Sequence, residues 1–383
     1  MKTAEVNVGS RASLGLARKR EMRWWVWPVL VNLIILVAAT YLPYFKSVAK
    51  DTMEFGDRAH FWFQWDSLWY MDIANNGYQD RKATAFFPFL PLLIRVLSNP
   101  YLVLLANQIA FVCCLHLLKK FFVRMNLNAS QTRTAIWLFV LNPAAIYYST
   151  LYTELWTVLF SLASLEMAAQ KKWGWAALFA AILSSTRATA LTFGFFPLAL
   201  LVYSVLRADW KTSLRALLWG GSLLIGLLAY MTYLNGKFGD PFAFSATQSK
   251  DWDHYWVLPW KQVIEGLKDA MSGGIQIMKL PLLIVSLLFA FWGAVTIWKV
   301  PFRRAWHKWG AVLFVLSGIL LTFSFGTENS PMHSTFRYLS VFFPVYAAIA
   351  VIRTKQLRWL IVAGFAGLSF AGAWAYTHSA WYL

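Results

Sequence analysis

The chain is short of charge, and shortest of acid. Of its 383 residues 14% are charged, with 17 Asp or Glu against 35 Lys or Arg. A soluble domain of this size carries about one quarter charged residues, so the composition speaks against a soluble fold. Cysteine is equally scarce. Cys113 and Cys114 are adjacent in an apolar run, and neighbouring helical residues point in different directions. That excludes a structural disulfide and any cysteine-type metal spacing, and leaves both as packing residues. The 6 His show no H-x-x-x-H spacing, which removes the zinc-helix motif. Solenoid-type repeats and low-complexity segments are absent as well.

Apolar and aromatic residues fill the gap. Hydrophobic residues make up 59% of the chain and aromatics 18%, with 22 Trp. Trp and Tyr gather at membrane–water interfaces, so this excess suits a chain that crosses them repeatedly. Apolar runs of spanning length occur at 24–44, 101–122, 133–150, 154–170, 173–186, 188–206, 214–234, 276–298, 309–325, 338–352 and 359–377, the fifth being short for a full crossing. Within lipid only helices or closed barrels satisfy the backbone, and these runs lack the alternation of barrel strands. The expected fold is an all-α polytopic membrane protein with about 11 transmembrane helices. Residues 1–23 read as a basic cytoplasmic tail, 24–377 as one transmembrane domain and 378–383 as an outer tail. The first run follows Arg18, Lys19, Arg20 and Arg23 and is too long for a signal peptide, so it reads as a retained helix.

Lys and Arg in the short loops set the orientation. With the N-terminus inside, the tail and cytoplasmic loops hold 22 of the 35 basic residues, and the outer side holds 13 of the 17 acidic ones. The inner face then carries the net +18 and the outer face is neutral. Such a basic face suits anionic membrane lipids and not nucleic acid. The outer loops 45–100 and 235–275 are long and aromatic. Ser67–Ala74 is expected to form a short interfacial helix and Phe86–Leu97 a second interfacial or re-entrant one. Asn75, Asn76, Asn99, Asn235 and Asn329 lack a Ser or Thr two residues on, so these outer loops lack glycosylation sequons. That favours a bacterial cytoplasmic membrane, with the site facing outward.

Chemistry-bearing residues collect on that outer side. Asp66, beside Trp65, starts an interfacial helix. It either caps the helix by accepting backbone N–H bonds, or serves as a partly desolvated carboxylate that takes a proton or holds a divalent cation. Asp72 lies six residues on, off the face of Asp66. Glu154 either complements a helix dipole or works as an ionisable group at a helix end within the bundle. Arg187 either anchors a helix end or binds phosphate through its fork. Asp240 before Pro241 suits a turn. His333, Arg337 and Tyr338 share a short outer segment, where Arg337 either snorkels or cradles a lipid-linked phosphate. Together they suggest an enzyme acting on a lipid phosphate.

These residues fall into ordered motifs. The run WDSLWYMDIANNGY at 65–78 precedes AFFPFLP at 85–91. Asn142-Pro143-Ala144, Tyr152-Thr153-Glu154, Thr186-Arg187, Gly239-Asp240-Pro241-Phe242-Ala243-Phe244, Arg337-Tyr338 and Phe343-Pro344 follow. The set resembles the PIG-V-type mannosyltransferases and their bacterial relatives over roughly 60–345. That resemblance implies a GT-C fold with interfacial helices in the first outer loop and a polyprenyl-phosphate-linked sugar donor. It also implies a lipid- or glycan-linked acceptor and inversion at the anomeric carbon. By position, Asp66 becomes the catalytic base, Arg187 and Arg337 ligands of the donor phosphate, and Glu154 a sugar or acceptor contact. No cofactor is required, and a divalent cation (Mg or Mn) is optional because arginines can replace it. A lipid-linked glycan flippase or a glycan ligase is the competing reading. A transporter, however, would place its polar groups at midplane in inverted repeats, whereas here they cluster at one face.

Overall fold

The computed structural model describes residues 26–42, 62–273, 279–327, 331–332 and 334–378. The expected tail at 1–23, residues 379–383 of the expected tail at 378–383, the stretch 43–61, and His333 lie outside the described residues. The helices in order are α1 (Val26–Tyr41), α2 (Asp66–Asn76), α3 (Phe89–Leu97), α4 (Pro100–Arg124), α5 (Ala129–Val140), α6 (Glu154–Ala169), α7 (Trp173–Ser184) and α8 (Phe195–Val205). They continue as α9 (Trp210–Phe238), α10 (Ala243–Asp251), α11 (Pro259–Met271), α12 (Leu280–Thr296), α13 (Ala305–Ser324), α14 (Thr335–Ser340), α15 (Pro344–Ala350) and α16 (Lys355–Thr377). Strands β1 (Tyr255–Trp256) and β2 (Phe325–Gly326) form one short antiparallel pair. The chain is an all-α polytopic membrane protein.

Among the described residues, six segments are long and apolar enough to cross a bilayer in one piece: Pro100–Arg124, Ala188–Val205, Trp210–Phe238, Leu280–Lys299, Ala305–Ser324 and Lys355–Thr377. The other expected spans are shorter or interrupted. Two interruptions have the same cause. The expected span 133–150 ends as a helix at Val140, because Pro143 has no N–H to give the Phe139 carbonyl four residues back. Asn142 Nδ2 takes that role and donates to Phe139 O at 2.6 Å. The expected span 338–352 is likewise split between α14 and α15. Pro344 leaves the Ser340 carbonyl free, and the hydroxyls of Tyr346 and Tyr148 donate to it at 3.0 and 3.3 Å. Asn142 Nδ2 also donates to the Tyr148 hydroxyl at 3.1 Å. One relay therefore satisfies the backbone at both breaks, as a low-dielectric interior demands. Gly318 of α13 makes room for the break, since a Cβ there would collide with the Phe342 ring.

The polar contacts separate into two ends. At one end Arg303 N donates to Arg124 O at 3.2 Å and Arg303 Nε to Asn126 at 2.7 Å, joining two basic loops expected on the same side. Glu166 there accepts from Arg124 and lies 3.7 Å from Lys120 Nζ. The opposite end carries the two long loops. In the first, α2 and α3 share a separate core of Phe63, Tyr70, Ile73, Phe86, Leu90 and Ile94, closed by Tyr230 and Leu234 of α9. Each such side chain removed from water contributes about 1.5–3 kcal/mol. On α3, Leu90, Pro91 and Ile94 are buried while Leu92 and Val96 are exposed, so an apolar surface is left for lipid. α9 runs four residues past its expected end, to Phe238. Gly239 then stops it at φ 67 and donates its N–H to Asn235 O. The second loop contains α10 and α11, which the sequence reading left unresolved. The face of α11 toward the protein is small or polar (Gln262, Gly266, Ala270), which hid the helix from an apolar search.

Candidate active site

Four chain segments converge at the end that carries the long loops. Trp65 takes φ 54 at the N-cap of α2, and Asp66 is the first helical residue. No side chain caps this helix, so the capping reading of Asp66 does not hold. Its carboxylate instead accepts from Arg337 Nη1 at 2.8 Å. The start of α2 is fixed from beneath. The Tyr376 hydroxyl of α16 accepts from Gln64 N at 3.1 Å and lies 3.2 Å from Ser67 Oγ. Asp66 N donates to the Tyr152 hydroxyl at 3.3 Å.

Glu154 opens α6 and is 2% exposed. Its Oε1 accepts from Arg187 Nη1 at 3.0 Å. Arg337 Nε lies 3.5 Å from the same oxygen, an ion pair that lacks hydrogen-bond geometry. Glu154 Oε2 has no hydrogen-bond partner among the described residues. Arg187 sits in extended backbone between α7 and the 3-10 segment Ala188–Gly194. Arg337 lies on α14, just before the Pro344 break. Its guanidinium is 5.4 Å from the Tyr147 and Tyr152 rings and 5.0 Å from the Tyr338 ring, and Nη2 donates to the Tyr338 hydroxyl at 3.2 Å. Arg187 also lies 5.4 Å from the Tyr338 ring.

Asp66, Arg337, Glu154 and Arg187 thus form an alternating, neutral array. Taking such charges out of water costs several kcal/mol per ion, and only close pairing and good hydrogen bonds offset it. The Asp66 side chain is 20% exposed against 2% for Glu154, so Asp66 is the carboxylate open to a reactant. Burial, and then the charges of Asp66 and Glu154, push the Tyr70 phenol up, keeping it a neutral donor. Guanidinium forks beside an accessible carboxylate suit a phosphate-bearing ligand with a reacting hydroxyl.

The structure brings Asp66, Glu154, Arg187, Arg337 and Tyr338 together, with Trp65 half-buried next to them. It places two other candidates elsewhere. Asp72 is exposed and accepts from Asn76 on its own helix at 2.7 Å. Asp240 accepts from Phe242 N at 2.9 Å and pairs with Arg81 at 3.3 Å, closing the turn after α9 onto the first loop. Tyr147 and Tyr376 belong to the site's walls and went unnoticed in the sequence. Nothing separates them there from the chain's other tyrosines. Among the described residues no three His, Cys, Asp or Glu side chains gather as a metal group.

Fold and site together define a multi-pass membrane protein with a buried carboxylate–arginine array at one end of its bundle. Residues 57–217 match the family model described as Mannosyltransferase (PIG-V). The resemblance carried by the first-loop motif is borne out over that stretch, which holds Asp66, Asn142-Pro143, Glu154 and Arg187. Asp240, Arg337 and Tyr338 lie beyond it. The chain is also similar to GPI mannosyltransferase 2 of Drosophila pseudoobscura pseudoobscura, at 29% identity over 118 residues. That similarity covers 27% of this chain and spans 25% of the relative's length.

Proposed function

We propose that the chain is a GT-C-type membrane mannosyltransferase. It moves one mannose, with inversion, from a polyprenyl-phosphate donor to a lipid- or glycan-linked acceptor on the non-cytoplasmic face. The observation that carries this reading is the Asp66–Arg337–Glu154–Arg187 array, drawn from four separate segments to one end of the bundle. An inverting transfer needs a base at the acceptor hydroxyl and a stabilised leaving group on the opposite side of the sugar. Asp66 takes the acceptor proton as the oxygen attacks the anomeric carbon. The bond from that carbon to the phosphate oxygen breaks with its electron pair, and the polyprenyl phosphate leaves. Arg337 and Arg187 meet the charge that develops on it. The donor phosphate competes with Asp66 and Glu154 for the same N–H groups, so binding frees the Asp66 carboxylate for the acceptor.

Purified protein supplied with radiolabelled polyprenyl-phosphate mannose and acceptor-bearing membranes tests this reading. Asp66→Asn should abolish transfer while the protein remains folded and extractable. Near wild-type transfer by that variant would remove Asp66 as the base. Movement of lipid without covalent change would indicate a transporter, and transfer of a whole glycan a ligase.

A further inference from the structure

A polar group outside both the first-loop motif and the family-matched stretch reaches this end of the bundle from the second outer loop. Residues 252–256 are held at both sides. Trp252 packs edge-on against Trp69 at 5.6 Å and Phe86 at 5.4 Å, and its indole N–H donates to Lys82 O at 3.0 Å. On the other side, Tyr255 and Trp256 pair with Gly326 and Phe325. Between these anchors Asp253 takes φ 54, a left-handed conformation that Asp tolerates better than most residues. The His254 backbone N–H donates to Gln248 O at 2.8 Å, and Nδ1 lies 3.0 Å from Gln248 Oε1. That oxygen only accepts, so the ring proton sits on Nδ1 and Nε2 keeps its lone pair. No described residue bonds Nε2.

His254 lies two residues beyond Trp252, which rests against the helix that carries Asp66. Trp69 is three residues from Asp66 on α2 and shares its face, and Trp252 rests on Trp69. Burial, and then the Arg337 guanidinium, push the imidazole below its ordinary value, while Asp253 and Asp66 oppose them. At neutral pH it is therefore an uncharged acceptor. A lone pair at Nε2 repels phosphate oxygens and welcomes a hydroxyl. Trp69 and Trp252 flank this segment, with Phe86 stacked on Trp69 at 5.6 Å and Lys82 Nζ over the two indoles at 5.9 and 5.0 Å, so the wall is aromatic with one cation.

We infer that His254 is a positioning residue on the acceptor side. Its Nε2 accepts a hydrogen bond from a hydroxyl of an acceptor glycan and holds the neighbouring, nucleophilic hydroxyl toward Asp66. This inference rests on the proposed sugar transfer and adds the acceptor's chemical class, a glycan with adjacent hydroxyls.

The full-length enzyme is assayed with radiolabelled polyprenyl-phosphate mannose and acceptor-bearing membranes, with the donor titrated. His254→Ala should lower turnover about tenfold and leave donor KM within about twofold of wild type. His254→Gln, whose amide oxygen keeps an acceptor near Nε2, should recover most of that loss. A raised donor KM at unchanged turnover, an unaffected His254→Ala, or a Gln variant no better than Ala overturns the inference while the transfer reading stands. A silent wild-type protein overturns the transfer reading and this inference with it.

Discussion

Arg337 reaches across 271 positions of sequence to hold the Asp66 carboxylate at 2.8 Å. The two residues come from the later of the two interrupted spans and the first long loop, and each is anchored by tyrosines. The pair sets how the site behaves when either partner changes.

Arg337→Lys keeps the charge but loses the fork that reaches both Asp66 and the Tyr338 hydroxyl. Donor KM should rise and transfer should fall by about two orders of magnitude, a loss near 2.7 kcal/mol in transition-state binding. Arg337→Ala leaves two carboxylates without their shared cation and should destabilise the fold by about 3–5 kcal/mol. Thermal unfolding in detergent measures the second effect. A lysine variant with wild-type donor KM would contradict the phosphate role.

The two glutamates buried among the described residues should part company. Glu166 accepts from Arg124 and from Gln170 Nε2 at 2.6 Å, at the end opposite the array. Glu166→Gln should lower the melting temperature and leave turnover per folded molecule unchanged. Glu154→Gln should lower both, because Arg187 loses its ionic partner. Equal losses of turnover would refute the confinement of the chemistry to one end.

The Ser340 carbonyl offers a test of the broken span. With two hydroxyls on it, Tyr346→Phe and Tyr148→Phe should each cost about 0.5–1.5 kcal/mol. Together they leave a buried carbonyl unpaired, and the double variant should lose more than the sum of the singles. A double-mutant cycle by chemical denaturation reads the coupling, and strict additivity would mean that the carbonyl finds another donor.

Chelation is the fourth test. In the proposed reaction two guanidinium groups meet the charge that develops on the phosphate, so EDTA-treated enzyme should retain its transfer rate. Loss of activity that returns on adding Mg or Mn would place a cation in the site.

Six of the expected spans were legible because lipid permits so few backbone solutions, and the Arg303–Arg124 contact joins two loops that their charges had assigned to one side. Asp66, Glu154, Arg187 and Arg337 were legible for a related reason. An ionisable residue is costly beside lipid, so those present invite a role. Asp240 and Asp72 show the limit of that argument, since each serves a local turn or helix. The capping role of Asp66 failed because its nearest partner was 271 positions away, and local reading cannot weigh such a rival. Tyr376 and Tyr147 were invisible because a buried hydroxyl acquires meaning only from what faces it. The split of the late span was readable in principle from Pro344, but the donors that stabilise the split were not.

The relay from Asn142 through Tyr148 to Ser340 bears on motion. A proline break ordinarily serves as a hinge. Here, bending at Pro143 would draw Tyr148 away from Ser340 and unseat the joint before Pro344, so each break restrains the other. The segment that ends in Tyr152 and the segment that carries Arg337 therefore swing together or stay still. In the proposed reaction a long-chain lipid donor would then enter by displacement of the surface helices, while the interrupted spans act as a fixed frame.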